Sequence, residues 1–344
     1  MTTSSATGYR IAVLGATGNV GQAILNELAH QRFPCSDIHA LASTKSNGQE
    51  VAFGEDILLK VKDVDTFDFA GIDFVFASIG APLIKQIAPR IKKSGAILID
   101  NSSAFRMEPT VPLVVPEVNA HRLEKIKLGS GRVVANPNCV ATPLAMTLKA
   151  LSAVAPLEKV VVSTYQSVSG AGKEAMDALY TQAKQLLMAQ PVTTEPFDRQ
   201  IAFNLIPLID DCQANGVTGE EEKVAAETFK LLETPAKVTA TCVRVPVFVG
   251  HSLSVNATFK KPASLADGKK ALSHFPGISF HTRHDQALSP QQIAGDDQVH
   301  VCRLRDDQTD SHGLSYWVVS DNLRKGAAQN AVQIAQTLHR QWAH

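Results

Sequence analysis

Apolar positions follow two different periods along the first third of the chain. Tyr9-Arg-Ile-Ala-Val-Leu14 is a short apolar run of the kind carried by a strand buried on both faces. The period then changes: Val20, Ala23, Ile24 and Leu28 mark one face of a helix over 19–30. Further apolar runs at 38–42, 73–77, 96–99 and 132–135 read as strands, separated by helical or turn-rich stretches such as 82–93. This alternation predicts an α/β fold with a doubly wound parallel sheet. A helix is expected from Thr142 to about Ser152, with Pro143 in its first turn, where a missing N–H does no harm.

The second half is patterned differently. β-Branched runs at 160–164, 238–245, 253–259 and 315–320 are interrupted by helical stretches at 173–188 and 219–232. They predict an α+β domain on a sheet with one face covered. A boundary near residue 137 gives domains of 1–137 and 138–321. The last stretch, 322–344, is helix-like through Trp342, with Ala327, Ala331, Ile334 and Leu338 on one face, and is expected to return to the first domain. Residues 262–284 read as loop, and no internal repeat stands out.

Composition narrows the class. A length of 344 residues suits two domains, and 44% apolar with 19% charged residues excludes disordered and fibrous chains. Lys plus Arg is 33 and Asp plus Glu is 33, so no net field attracts nucleic acid. No stretch reaches the ~18 apolar residues of a membrane-spanning helix, and Met1 to Tyr9 lacks the basic and apolar regions of a secretory leader. A soluble, cytoplasmic protein without a membrane partner is expected. Cys35, Cys139, Cys212, Cys242 and Cys302 are scattered and never form a C-x-x-C pair, which argues against a disulfide framework and against a metal site.

Two segments carry candidate chemistry. Gly15-Ala-Thr17-Gly18-Asn19-Val20-Gly21 follows the first strand and opens the first helix. Such a turn lets backbone N–H groups approach a pyrophosphate at a helix N-terminus; the plain alternative is a tight strand-to-helix turn. At the end of the second strand, Ser43, Lys45 and Ser46 stand where an acidic residue would bind a free ribose 2′-hydroxyl. A 2′-phosphate suits them better, so NADP is the expected cofactor, against the alternative of a solvated polar turn. Cys139 lies in Asn136-Pro-Asn138-Cys139, between a predicted strand and a predicted helix. The positive end of the helix dipole favours thiolate there, and Asn138 with nearby backbone N–H groups is placed to stabilise an oxyanion.

The glycine turn and Asn136-Pro-Asn-Cys139 together resemble the aspartate-semialdehyde dehydrogenase family. Further blocks extend the resemblance over nearly the whole chain: Asp100-Asn-Ser-Ser-Ala-Phe-Arg106, Val115-Pro-Glu-Val-Asn119, Thr164-Tyr-Gln-Ser-Val-Ser-Gly-Ala-Gly172, Gly219-Glu-Glu-Glu-Lys223 and Arg244-Val-Pro-Val-Phe-Val-Gly-His251. The resemblance implies a Rossmann-type dinucleotide-binding domain followed by a catalytic, substrate-binding and dimerisation domain. The implied reaction is NADPH-dependent conversion of L-aspartyl 4-phosphate to L-aspartate 4-semialdehyde and inorganic phosphate, on the route to lysine, threonine, methionine and isoleucine.

Site roles follow by matching positions. The resemblance makes Cys139 the nucleophile, His251 the general acid/base and Gln166 the residue that orients the acyl group. Arg106 and Lys223 match phosphate-binding positions, Arg244 the grip on the α-carboxylate, and Glu220 the partner of the ammonium. Ser169, Gly170 and Asn322 are implied to complete the cofactor site, and the family implies a homodimer. Glu220 and Lys223 are also three apart on a predicted helix, where a surface ion pair is the plain alternative. Two departures are visible: Ala135 where some relatives carry Ser, and Lys45 where Arg is common, which weakens planar recognition of a 2′-phosphate. The rival readings are N-acetyl-γ-glutamyl-phosphate reductase, whose relatives carry Gly in place of Asn138, and a non-catalytic relative acting as a binding or structural protein.

Overall fold

The computed structural model describes residues 8–283 and 285–343. The polar leading segment through Thr7, His284 at the end of the expected loop, and His344 lie outside the described residues. The chain divides into two compact units, one reaching Pro137 and rejoined from Ala327, the other running from Asn138 to Gly326.

The first unit contains strands β1 (Tyr9–Leu14), β2 (Cys35–Ala42), β3 (Glu50–Phe53), β4 (Ile57–Lys60), β5 (Lys62–Asp63), β6 (Phe74–Ala77), β7 (Ile97–Asp100) and β8 (Val133–Ala135). Its helices are α1 (Asn19–His30), α2 (Ala81–Ser94) and the short α3 (Pro116–Asn119). Six strands form a sheet in the order β5-β2-β1-β6-β7-β8, every pair parallel. This is the doubly wound dinucleotide-binding topology, and its strand order reverses between β1 and β6. The near-continuous apolar strands follow from cover on both faces. Ile11, Val13, Phe74, Phe76, Ile97 and Ile99 enter one buried cluster, whereas Ala12, Leu14, Val75, Ala77 and Leu98 enter another. The hairpin of β3 and β4 is an addition that the apolar pattern does not announce.

The second unit holds α4 (Ala141–Ser152), β9 (Leu157–Gln166), α5 (Lys173–Leu187), α6 (Gly219–Leu232), β10 (Lys237–Arg244), β11 (His251–Phe259), α7 (Leu265–His274), β12 (Ile278–Phe280), α8 (Pro290–Ile293), β13 (Val299–Asp306) and β14 (Gly313–Ser320). Its mixed sheet has the order β10-β9-β11-β14-β13-β12, with the two outer pairs parallel and the rest antiparallel. Helices α4, α6 and α7 pack on one another and on the sheet. Along β9, Val160, Val162 and Thr164 are buried while Val161 and Tyr165 are exposed, so one face is covered and the other open.

The stretch 262–284 is not the expected loop: it contains α7 and β12. Its helical signal is weak because Gly268 sits in mid-helix, where a Cβ would press on Leu314, Leu151 and Leu304 at 3.2–3.5 Å. The glycine is needed for close packing and removes an apolar mark from the sequence. The C-terminal helix also begins later than its periodicity suggests. A wide π-helical turn over Arg324–Ala328 precedes α9 (Gln329–Trp342), whose Ala331, Ile334, Ala335 and Leu338 are fully buried in the first unit's core.

The glycine turn tolerates no added side chain at Gly21, where a Cβ would stand 2.0 Å from the carbonyl oxygen of Gly15. Gly21→Ala is expected to cost about 1–3 kcal/mol by overpacking. Urea unfolding followed by circular dichroism measures it, and an unchanged midpoint would contradict the close helix–strand approach.

Candidate active site

In the first unit the C-terminal ends of β1 and β6 meet where the strand order reverses. Gly15 has a left-handed φ of +78°, and a Cβ there would lie 2.2 Å from the carbonyl oxygen of Ser78. A cavity of about 260 Å³ opens at this point, lined by Gly15, Thr17, Gly18, Ser43, Ser78 and Ile79 among others. The crevice lies beside the N-terminus of α1 at Asn19, where a sheet of this strand order receives a dinucleotide. Lys45 and Ser46 lie in a single 3₁₀ turn, Thr44–Ser46, just beyond β2. Thr44 Oγ1 donates to Asp63 Oδ2 at 2.8 Å, which anchors that turn to β5.

Arg106 also belongs to the first unit and is buried. Its Nε donates to the carbonyl of Asn136 at 2.9 Å and its Nη2 to that of Asn101 at 2.7 Å. Its charge acts against burial at Asp100, where desolvation raises the carboxyl's pKa and bonds from Ser102 lower it.

In the second unit, sheet register brings distant residues to one edge. Arg244 at the end of β10 pairs with Gln166 at the end of β9, and His251 at the start of β11 pairs with Ser320 at the end of β14. Adjacent strand ends therefore carry Arg244, Gln166 and His251 side by side, with Asn322 two residues past β14.

Helix α6 supplies carboxylates to the turn before α4. Glu220 Oε1 accepts from Asn138 Nδ2 at 2.9 Å and from Gln166 Nε2 at 3.0 Å. Glu227, two turns further along, accepts the backbone N–H of Asn138 at 2.6 Å. Both glutamates are buried. Asn138 Oδ1 in turn accepts the N–H groups of Val140 at 2.8 Å and Ala141 at 3.4 Å, which closes the turn carrying Cys139 at the mouth of α4. Thus the Asn138 amide is engaged in holding that turn. Gly326 packs on the other side, where a Cβ would come within 3.0 Å of Cys139 Cβ.

Lys223 forms an ion pair with Asp210 and lies 3.8 Å from Glu220 Oε2, so the i,i+3 pair exists within a larger charged group. Thr218 and Glu221 form a capping box that starts α6 and sets the rotation of its glutamates. Burial lowers the pKa of Arg244, while the charges of Cys139 and Glu220, first among several nearby groups, raise it. Arg244 Nη1 donates to the carbonyl of Ser167 at 2.9 Å.

His251 is fully buried. Its Nδ1 accepts the backbone N–H of Ser167 at 3.0 Å, while its Nε2 has no hydrogen-bond partner. A Cβ on Gly170 would lie 3.1 Å from that Nε2 and from Arg244 Nη1, so glycine keeps this position open. Burial first, and the Arg244 charge second, push the His251 pKa down to about 3. Asn322 Oδ1 accepts from Ser167 Oγ and Ser169 Oγ at 3.1 Å and from Gly250 N at 2.9 Å.

Cys139, Asn138, Gln166, Glu220, Lys223, Arg244, His251, Ser169, Gly170 and Asn322 therefore all lie in the second unit. Glu227 and Ser167 escaped the sequence reading. Glu227 had a usable signal, since it is seven residues beyond Glu220 and so on the same helix face. Ser167 had only its place beside Gln166. All five cysteines carry free thiols, with burial raising Cys242 to about 12 and Cys35 to about 11. Among the described residues no group of three or more His, Cys, Asp or Glu side chains is arranged to hold a metal ion, and no helix is long and apolar enough to cross a membrane.

A parallel dinucleotide-binding sheet and a separate mixed-sheet unit with a thiol among buried polar groups describe the semialdehyde dehydrogenase class. Residues 10–126 match the semialdehyde dehydrogenase NAD binding domain and 148–325 the semialdehyde dehydrogenase dimerisation domain. Aspartate-semialdehyde dehydrogenase of Rickettsia bellii is 43% identical over 96% of this chain and 97% of its own, and that of Aquifex aeolicus is 41% identical over 96% and 98%. The crystal structure of Vibrio cholerae aspartate semialdehyde dehydrogenase II complexed with ASA superposes with a TM-score of 0.93 at 39% identity, covering 97% of this chain and 98% of that one. The chain belongs to the aspartate-semialdehyde dehydrogenase family.

The depressed pKa of His251 has a stability consequence. The unfolded ring takes up a proton below about pH 6.5 and the folded ring does not, so stability is complete above that pH and falls as pH drops toward 3. Between about pH 7.5 and 5.5 the protein should lose ~1.4 kcal/mol more than His251→Gln in urea unfolding. Equal losses would show that the ring titrates normally in the folded state.

Proposed function

We propose that this enzyme reduces L-aspartyl 4-phosphate to L-aspartate 4-semialdehyde, releasing inorganic phosphate, through a thioester on Cys139. The observation that carries this reading is the buried polar set of the second unit. A carboxylate, an amide, a guanidinium and an imidazole are joined by hydrogen bonds or strand register around the turn that bears the thiol.

Cys139 attacks the acyl carbon as thiolate and phosphate leaves, with Arg106 and Lys223 assigned to the phosphate charge. Arg244 grips the α-carboxylate of the substrate with its planar fork. Glu220 stands for the ammonium, its Oε1 already steadied by two amide donors. Gln166, held by Glu220 and by Thr164 Oγ1 at 2.9 Å, orients the acyl group. NADPH, when bound, supplies the hydride that reduces the thioester. His251 assists collapse of the thiohemiacetal to the aldehyde.

NADP over NAD is supported by Ser43, Lys45 and Ser46 beyond β2, with no carboxylate among them to favour a free 2′-hydroxyl. Gly15, Thr17, Gly18, Asn19, Val20 and Gly21 are assigned to the pyrophosphate, and Ser169, Gly170 and Asn322 to the nicotinamide end. The open sheet face, on which Val161 and Tyr165 are exposed, is assigned to the contact of a homodimer. Free thiols throughout suit a cytoplasmic setting.

The test is phosphate-dependent reduction of NADP by L-aspartate 4-semialdehyde, followed at the nicotinamide absorbance. Cys139→Ala should lower the rate by roughly 10⁴-fold or more. A wild-type protein that turns over only the N-acetylated glutamyl substrate, or nothing, would sink the reading. Lys45→Ala should weaken NADP by about tenfold in KM while leaving NAD unchanged, as loss of one ion contact to a 2′-phosphate requires. Equal effects on both cofactors would remove Lys45 from that role.

A further inference from the structure

We propose that Glu227 is a positioning residue for the reaction: by holding the backbone N–H of Asn138, it fixes the direction in which the next residue, Cys139, presents its sulfur. The inference rests on the thioester reading above and adds to it a residue that acts only through the turn bearing the thiol.

Every polar group of Asn138 is tied. Its N–H donates to Glu227 Oε2 at 2.6 Å and its Nδ2 to Glu220 Oε1 at 2.9 Å. Its Oδ1 accepts the N–H groups of Val140 and Ala141, and its carbonyl accepts Thr142 N at 3.0 Å and Thr142 Oγ1 at 3.1 Å. The bonds to Val140, Ala141 and Thr142 are local, so they shape the turn but move with it. Only the two bonds from α6 refer the turn to a separate element. The one from Glu220 reaches a side chain, which has its own rotatable bonds. The one from Glu227 reaches the main chain and sets the peptide plane that enters Asn138.

Helix α6 is a firm reference for that purpose. Its first turn is closed by the capping box of Thr218 and Glu221, and Glu221 Oε1 also accepts the N–H of Cys242 on β10 at 3.0 Å. Val224 and Leu231 are buried along the same helix. Glu227 itself is 1% exposed, so its carboxylate has no bulk water to turn toward. Rotating it away would strand the buried N–H of Asn138.

Electrostatics alone does not account for a carboxylate here. A thiol at the N-terminus of α4 gains from the positive end of the helix, whereas a negative charge beside the preceding residue disfavours thiolate. What Glu227 offers is a strong acceptor for one N–H, and with it a fixed geometry. A misplacement of about 1 Å at a reacting atom costs roughly 10²-fold in rate. The two effects of Glu227 on the thiol thus have opposite signs, which makes them separable.

The test compares wild type, Glu227→Ala and Glu227→Gln in the full-length protein, with circular dichroism to establish that each is folded. The rate of Cys139 alkylation by iodoacetamide is followed against pH, with the labelled peptide resolved by mass spectrometry because Cys35 and Cys212 are also accessible in part or in full. Arg244 and Cys242, which feel the charge of Cys139 from β10, are the same in all three proteins. In Glu227→Ala the alkylation midpoint should rise by about half a pH unit to one unit, as the thiol loses its alignment with α4. Its kcat should fall roughly 10²-fold with KM within about threefold, since Arg106 and Arg244 are untouched. Glu227→Gln keeps an acceptor oxygen for the N–H, so its kcat should stay within about fivefold of wild type and its midpoint should not rise. A midpoint in the Ala variant that stays put or falls, or a Gln variant as impaired as wild type is active by a factor of about 10², overturns the inference. Alkylation needs no turnover. A raised midpoint in a protein inactive on the aspartyl substrate would therefore overturn the reaction alone, and an active enzyme indifferent to Glu227→Ala would overturn the positioning role alone.

Discussion

Two buried carboxylates on one face of α6 organise the second unit. A buried glutamate is tolerated only if it is met by donors, and leaving one unmet costs several kcal/mol. Glu220 takes the side-chain amides of Asn138 and Gln166, and Glu227 takes the backbone N–H of Asn138. The requirement to satisfy α6 therefore fixes the turn before α4 and the end of β9 relative to one another. Cys139 is the next residue after the one so held. The thiol is positioned by the bonds that hold the turn before it.

The same economy recurs at the opposite end of the strand set. Asn322 gathers Ser167, Ser169 and Gly250 through one side chain, and through Ser167 it orients His251. By resemblance Asn322 was expected as a cofactor contact. In the structure its side-chain oxygen accepts three hydrogen bonds within the unit, so any cofactor role is added to a structural one. Burial and the Arg244 charge both lower the pKa of the buried imidazole.

The dinucleotide-binding unit was legible in outline from apolar runs, since strands covered on both faces cannot hide polar residues. The glycine turn was legible too, because close approach of helix to strand at Gly21 leaves no space for a side chain. The β3–β4 hairpin was not, because its strand Ile57–Lys60 is largely exposed and its pattern is unconstrained by burial. In the second unit, α7 was hidden by Gly268, whose packing role is invisible without the three leucines it meets.

By itself the sequence determined the alternation of strand and helix, the glycine turn and a cysteine between strand and helix, because each is a local pattern imposed by backbone geometry and burial period. Matched motif blocks added Gln166, Glu220, Lys223, Arg244 and His251 as a list. Only the tertiary structure decided how they meet: parallel register sets Arg244 beside Gln166, and antiparallel register sets His251 beside Ser320. Glu227 and Ser167 became visible only there, since one acts through a backbone N–H of Asn138 and the other through its own amide. Every residue except proline carries a backbone N–H, and only a fold selects which of them faces a buried carboxylate or an imidazole.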